Sequence, residues 1–442
     1  MTHTTDSLSG RGQDLAHNPA RVDFELFAEA SENRYHPTEN PQGAFPLNVA
    51  ENAVSSHLIQ ARFEAIMKRG KLPAWTLKYT QSLGHPEVRE VMAGFMRKYL
   101  GSQAITADNL AFSAGASASL EVCSFLLAEE GDVAAIPAPS YPMYTKDLGI
   151  KSGVERYDIQ THTGIEGYES LALVDIPVLE KTQAAIRSAG KRFRMLVLTT
   201  PDNPTGAIYS YETLDEIARW CMENEVHLLV NEIYAHSLIN TQDPEVADDF
   251  QHLPPYRSFT TIMETYKSDY LHLVYALSKD FAISGFRFGI LHSLNEAFMT
   301  GIANVNIPHL SSNVAQWLVG ELFKDEVFIE TYIEENQAQL TESYKTVIET
   351  LKKMKVPYAP IRGSLFVWAD FSAFLTENTP EAEETLWVDI YEQTGLLLTP
   401  GTGFGHHKNG LFRIVYSAVP LKDLEVAMQR LESYSNPQNG HA

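Results

Sequence analysis

Residues 271–293 read Leu-His-Leu-Val-Tyr-Ala-Leu-Ser-Lys-Asp-Phe-Ala-Ile-Ser-Gly-Phe-Arg-Phe-Gly-Ile-Leu-His-Ser, and they place a lysine at the lip of a buried strand. The run 271–277 is short, apolar and rich in Leu, Val and Tyr, as a fully buried strand is. It stops at Ser278-Lys279. After a turn at Gly285 a second apolar run, 286–291, carries Arg287 at its start. Burying an unpaired ammonium is strongly unfavourable. A neutral amine at the same place is a nucleophile for an aldehyde, its pKa lowered by burial and neighbouring cations. Arg287, eight positions on, supplies such a cation and a phosphate clamp, and Ser278 adds a hydroxyl donor. Together these meet the needs of a pyridoxal phosphate (PLP) site. The alternative is an ordinary strand end with two solvated cations.

The run Ser-Lys-Asp-(x)4-Gly-Phe-Arg-x-Gly resembles the PLP-lysine signature of the fold type I, class I/II aminotransferase superfamily. Its form Leu-Ser-Lys-Asp with Gly-Phe-Arg is especially similar to the 1-aminocyclopropane-1-carboxylate (ACC) synthase branch. A second stretch points the same way. Tyr35-His-Pro-Thr-Glu-Asn-Pro-Gln-Gly, followed by Val49-Ala-Glu51-Asn52-Ala-Val, resembles the N-terminal segment of ACC synthases. In that family the glutamate matching Glu51 lies in the substrate site. Read without the family, Asn52 or Ser55 caps the following helix and Glu51 is a solvated first-turn acid.

Further along, Gly115-Ala116-Ser117 closes a strand and leads into a helix expected over 119–129. Backbone N–H groups at a helix start make a phosphate cradle, and the position matches the family's phosphate-binding turn. By match, Tyr141 is the ring-stacking aromatic and Asn203, in the turn Asn-Pro-Thr-Gly, donates to the cofactor's phenolic oxygen, as does Tyr234. Arg413 sits inside the apolar run 411–416, where a guanidinium is costly unless it meets an anion. Its planar fork suits a carboxylate. By match it clamps the substrate's α-carboxylate; the alternative is an internal salt bridge.

Three positions depart from the family. Asn231 stands where relatives carry the aspartate that keeps the pyridine nitrogen protonated. Losing an opposite charge lowers such a pKa by roughly 1–3 units, which makes the ring a weaker electron sink. Ala276 replaces a common phosphate-binding serine. The cross-subunit tyrosine of ACC synthases, two before the glycine of this loop, is Ser82 here; Tyr79, five before Gly84, follows the aminotransferase arrangement.

Strand-then-helix alternation over 108–293 implies a mostly parallel sheet with crossover helices, followed by a smaller α/β domain, and the resemblance implies the aspartate aminotransferase-like PLP-dependent transferase fold, whose large α/β domain has a mostly parallel, seven-stranded sheet. The expected divisions are an arm and small-domain segment at 1–58, a PLP-binding domain at 59–305 and a small domain at 306–442. Residues 149–185 yield no clear pattern. The balance of 56 acidic to 34 basic residues, net −22, argues against nucleic acid and anionic membranes. No apolar run approaches the ~18 residues of a membrane span. The N-terminus lacks a signal pattern, and Cys123 and Cys221 read as buried thiols, which together imply a cytoplasmic protein. Adjacent His406 and His407 lack metal-ligand spacing.

The resemblance therefore implies a PLP enzyme of α-amino acids, with Lys279, Glu51 and Tyr79 catalytic, and homodimeric. γ-Elimination or γ-replacement on S-adenosylmethionine is the favoured chemistry, atypical through Asn231. Transamination is the second reading, and a degenerate PLP-binding protein without turnover the third.

Overall fold

The computed structural model describes residues 7–18, 21, 23–168, 173–250 and 253–434. Seven strands form the central sheet in the spatial order Leu110–Ser113, Gly289–Ser293, Leu271–Ala276, His227–Asn231, Phe193–Thr199, Val133–Ala138 and Glu155–Gln160. Only Gly289–Ser293 runs against the others. Side chains alternate between two covered faces, as the two-residue period of a strand requires. Leu196, Leu198, Leu228 and Val230 enter one apolar core, while Met195, Val197 and Leu229 enter another on the far side.

A four-stranded antiparallel sheet, in the order Thr399–Pro400, Leu411–Val415, Phe366–Asp370 and Tyr358–Ala359, builds a third core. The helix Glu326–Met354 joins the two halves: Ile329, Tyr332 and Ile333 pack into the first core, and Leu340, Tyr344 and Val347 into the third. The changeover falls inside this helix.

Several expected bounds shift for physical reasons. Leu396–Leu397 pairs with Phe45–Pro46, whereas Thr399–Pro400 joins the strand of Arg413. The chain between Pro46 and Glu51 is thereby pinned beside Arg413. The helix expected from 119 already begins at Ala116, because Gly115 at φ +93° starts it. Arg287 lies before its strand, in left-handed conformation after a single turn over Ser284–Phe286. The unpatterned stretch contains the edge strand Glu155–Gln160, too charged to alternate cleanly, and the helix Ile176–Ser188, whose first turn is capped by Asp175 on the Val178 N–H.

Candidate active site

Loops at the C-terminal ends of the parallel strands converge with the Asn48–Glu51 segment and Arg413 on a cavity of about 240 Å3. Open α/β sheets bind ligands at this edge. Lys279 sits in the four-residue helix Leu277–Asp280, which follows the last residue of its strand. Its Nζ donates to the Ala50 carbonyl at 2.5 Å. Burial lowers its pKa to about 8; Glu51 opposes that shift, and Arg413, Arg287 and Arg21 reinforce it. The amine is therefore far more available as a free base than an ordinary lysine.

The turn holding Lys279 is fixed by groups that never reach the cavity. Asn52 Nδ2 donates to the Lys279 carbonyl at 3.0 Å and to Asn336 Oδ1 at 2.9 Å. Ser55 occupies the N-cap position, yet its hydroxyl goes to Asn336 rather than to the helix. The capping reading of Asn52 and Ser55 is thus corrected: both tie the first segment to the lysine turn. Asp280 accepts from the Ser237 hydroxyl, the His236 N–H and the Tyr275 hydroxyl at 2.7, 3.0 and 3.0 Å. Burial still pushes its pKa up to about 7.

At one end of the cavity Ala116 and Ser117 form the first turn of their helix, with Ser278 and Arg287 alongside. Gly115 lies behind the guanidinium. A Cβ there would come within 2.5 Å of Arg287 Nη2, and one on Gly289 within 2.5 Å of Ser113 Oγ and the Gly115 carbonyl carbon. Only glycines allow this close approach. Asp147 enters the same end unannounced by any motif: Ser117 donates to it at 3.0 Å, and burial raises its pKa to about 6.

At the other end Arg413 is 5% exposed and its hydrogen-bond partners are neutral. Nη1 donates to Asn203 Oδ1 at 2.8 Å and Nη2 to the Asn48 carbonyl at 2.5 Å, while the rings of Phe366 and Phe404 flank the guanidinium. The internal salt-bridge reading fails, since no carboxylate bridges Arg413 among the described residues. Its Nε is buried without a partner. An uncompensated buried cation at a cavity wall is an anion site. Because a guanidinium can only donate, Asn203 Oδ1 is fixed as acceptor and its Nδ2 is left to donate into the cavity.

The same logic orients Asn231. Its Oδ1 accepts from the Ile233 N–H at 3.2 Å, so Nδ2 is the group that donates to the Tyr144 hydroxyl at 3.1 Å. The Tyr144 and Thr199 hydroxyls share a hydrogen bond at 2.6 Å. Half-buried Tyr141 stands edge-on to Tyr144, and buried Tyr234 also lines the cavity. Glu51 lies at the mouth, where the Ser284 hydroxyl donates to it at 2.7 Å.

One expected residue, Tyr79, is not brought together with these, and Ser82, which stands where ACC synthases carry their tyrosine, faces elsewhere. Tyr79 is 98% exposed and lies outside the cavity of its own chain. Ser82 donates to the Ala303 carbonyl at 2.5 Å, away from the site. No motif points to Arg21, yet it lines the cavity from the chain just before the helix Phe24–Glu32. Among the described residues no cluster of His, Cys, Asp and Glu suits a metal, and no helix is long and apolar enough to cross a membrane.

An aldehyde-ready lysine, a cradle at a helix N-terminus with room for nothing larger than glycine beneath its arginine, and a second arginine without a counterion fit PLP and an amino acid carboxylate. Comparison with solved structures gives the class. An aspartate aminotransferase from Thermus thermophilus, solved with maleate, matches at a TM-score of 0.76 over 96% of this chain and 99% of that one, with 22% identity. One from Thermotoga maritima matches at 0.74 over 97% and 99%, with 19% identity. The fold is that of aspartate aminotransferase.

Residues 46–431 match the family model of aminotransferase class I and II, and the chain belongs to this family of PLP-dependent enzymes. Among its relatives are 1-aminocyclopropane-1-carboxylate synthase 7 of Arabidopsis thaliana, 28% identical with 91% of this chain and 89% of that protein covered, and synthase 5 of Oryza sativa subsp. japonica, 28% identical with 98% and 81% covered.

Proposed function

We propose that the protein carries out γ-elimination or γ-replacement on S-adenosylmethionine, or on a similar amino acid with a γ leaving group. The observation that carries this reading is Glu51, held by Ser284 at the mouth of the lysine cavity, in a segment that resembles ACC synthases. A carboxylate there suits a sulfonium, and relatives over nearly the whole chain are named ACC synthases.

PLP, when bound, withdraws electrons from the substrate's α-carbon. Lys279 would be the residue that holds it and, as a free amine, would take the substrate's α-proton on Nζ; its pKa, lowered by burial, favours the free base that this requires. Ala116, Ser117, Ser278 and Arg287, with Gly115 behind them, hold the phosphate. Tyr141 would stack on the ring, Asn203 and Tyr234 would donate to its phenolic oxygen and Asn231 would meet its nitrogen; all four line the cavity. Arg413 orients the α-carboxylate. Tyr79, fully exposed on its own chain, reaches the cavity of the second subunit in a cytoplasmic homodimer.

Transamination is the second reading, favoured by the position of Tyr79 and by the absence of a tyrosine at 82. Incubating the holoenzyme with S-adenosylmethionine, and separately with amino acids plus 2-oxoglutarate, decides between them. Release of methylthioadenosine supports the first reading and formation of glutamate the second. Neither product would leave a non-catalytic PLP-binding protein.

A further inference from the structure

Arg21 is the remaining cation of the cavity wall. In the PLP enzyme proposed above, Lys279 is engaged by the aldehyde, Arg287 by phosphate and Arg413 by the α-carboxylate, and the role of Arg21 rests on that reading. Arg21 projects from the N-terminal arm, with its side chain 28% exposed. One edge of its guanidinium is taken: Nε donates to Asp23 Oδ1 at 2.8 Å, and Nη2 to Asp23 Oδ2. The other edge has no partner among the described residues.

Asp23, by contrast, is immobilised. Its side chain is 2% exposed, and buried Asn48 donates to it at 2.5 Å. Asn48 is the same residue whose carbonyl receives Arg413 Nη2 and, at 3.1 Å, the Thr399 hydroxyl. A continuous set of hydrogen bonds thus runs from Arg413 through Asn48 and Asp23 to Arg21, and it fixes two guanidiniums at one cavity. Arg21 acts on that cavity electrically as well, since its charge bears on Lys279, Tyr141 and Arg413. A guanidinium offers five N–H donors in a rigid fork. With one edge on a fixed acid and the other unbonded, in a residue that lines the cavity, it is pre-oriented to receive a second carboxylate bidentately, at little further cost in side-chain entropy.

We propose that Arg21 forms a second carboxylate subsite, and that the cavity therefore takes a carboxylate in addition to the one on Arg413. That carboxylate belongs either to the side chain of the same amino or 2-oxo acid, or to a separate anionic co-substrate that meets the substrate's carbon chain in a replacement reaction. Asp23 is the fixed counterion that holds Arg21 in place and tempers its affinity.

The test uses the holoenzyme and two acids of equal length, valerate and glutarate, with binding followed by calorimetry and by the cofactor's absorbance. The wild-type protein is expected to prefer glutarate by about tenfold or more, the scale of one charge-assisted pair. Arg21→Ala should bring the two within about twofold while valerate affinity is kept, Arg21→Lys should retain part of the preference, and Asp23→Asn should increase it. Acetate bound in the presence of saturating valerate, and lost in Arg21→Ala, identifies a separate co-substrate. Glutarate preference without acetate binding places both carboxylates on one molecule. Equal affinities in the wild type together with no acetate binding beside valerate, or a preference that survives Arg21→Ala, overturns the assignment and leaves Arg413 in place. Valerate that fails to bind, or binds equally well to Arg413→Lys, overturns the reading of Arg413 and this subsite together.

Discussion

The two ends of the cavity are built on different principles. The end formed by Ala116, Ser117, Ser278 and Arg287 comes from strand ends and helix starts of the one large sheet, where position follows from topology. The end formed by Arg413, Asn48, Glu51 and Arg21 comes from a second sheet, a pinned segment and an arm, held by side-chain hydrogen bonds across more than 200 residues of sequence, as in Arg413 to Asn203. The first end is rigid because the sheet is. The second is rigid only as far as its polar partners are satisfied, so substitutions there should alter selectivity before they alter the fold. Lys279 stands at the junction, on the sheet but bonded to Ala50.

Changes at the junction should have the largest effect. Lys279→Ala should abolish the pyridoxyl adduct left by borohydride and lower turnover by about 10^3-fold or more, within the range of general acid–base and covalent contributions. Peptide mass spectrometry of the treated protein checks this; an adduct elsewhere would dissolve the distinction between the two ends. Arg413→Lys comes next. A lysine keeps the charge and loses the fork that now spans Asn203 and the Asn48 carbonyl. A loss of about 2–3 kcal/mol in kcat/KM, about 10^2-fold, is expected. Steady-state kinetics with the identified substrate, together with an unchanged pyridoxyl adduct, would locate the damage at the substrate end alone.

How much is legible in the sequence differs between the ends for the same physical reason. The lysine strand, the Gly115 turn, the Asn-Pro-Thr-Gly turn and Arg413 are local patterns: an apolar run stopped by a charge, a helix start, a tight turn, a cation inside a strand. Each also matches a family motif in the expected order, and together they imply the seven-stranded sheet. Glu51 is legible only through resemblance, since an acid before a helix is otherwise ordinary. Arg21 and Asp147 are not legible at all. Their neighbours in sequence carry no pattern, and they reach the cavity only because the arm and the helix Tyr144–Gly149 fold across it. Asn52 looks like a cap because caps are local; its true partners, Lys279 and Asn336, are 227 and 284 residues away.

The pH dependence of cofactor loading separates the ends further. With the Lys279 amine lowered to about 8, chiefly by burial, its free-base fraction rises with pH up to that value and levels off above it. The rate of PLP binding to apoprotein at constant phosphate charge should therefore climb nearly tenfold per unit below about 8 and flatten above, far below an ordinary lysine's 10.5. Glu51 is the residue that opposes the lowering. Glu51→Gln should move the break to lower pH, and stopped-flow absorbance across pH 6–10 would show it. A break that stays put would mean that Glu51 acts on substrate without acting on the lysine.

The smallest effect, and the most informative about chemistry, belongs to Asn231→Asp. The replacement is isosteric, and the network can absorb it: the Ile233 N–H still finds an oxygen, and Tyr144, which now accepts from Asn231, can donate to the new carboxylate while accepting from Thr199. Folding stability should change by less than about 1 kcal/mol on that account. What changes is charge. A carboxylate facing the ring nitrogen should raise that nitrogen's pKa by roughly 1–3 units and deepen the electron sink. Nitrogen-15 NMR of labelled cofactor reads this directly, and mass spectrometry of products from S-adenosylmethionine reads its consequence. More simple elimination from the variant than from the wild type would show that the asparagine keeps negative charge near the substrate's α-carbon. An unchanged nitrogen resonance would show that residue 231 does not govern the ring, and the cofactor end would then need another source for its electronic character.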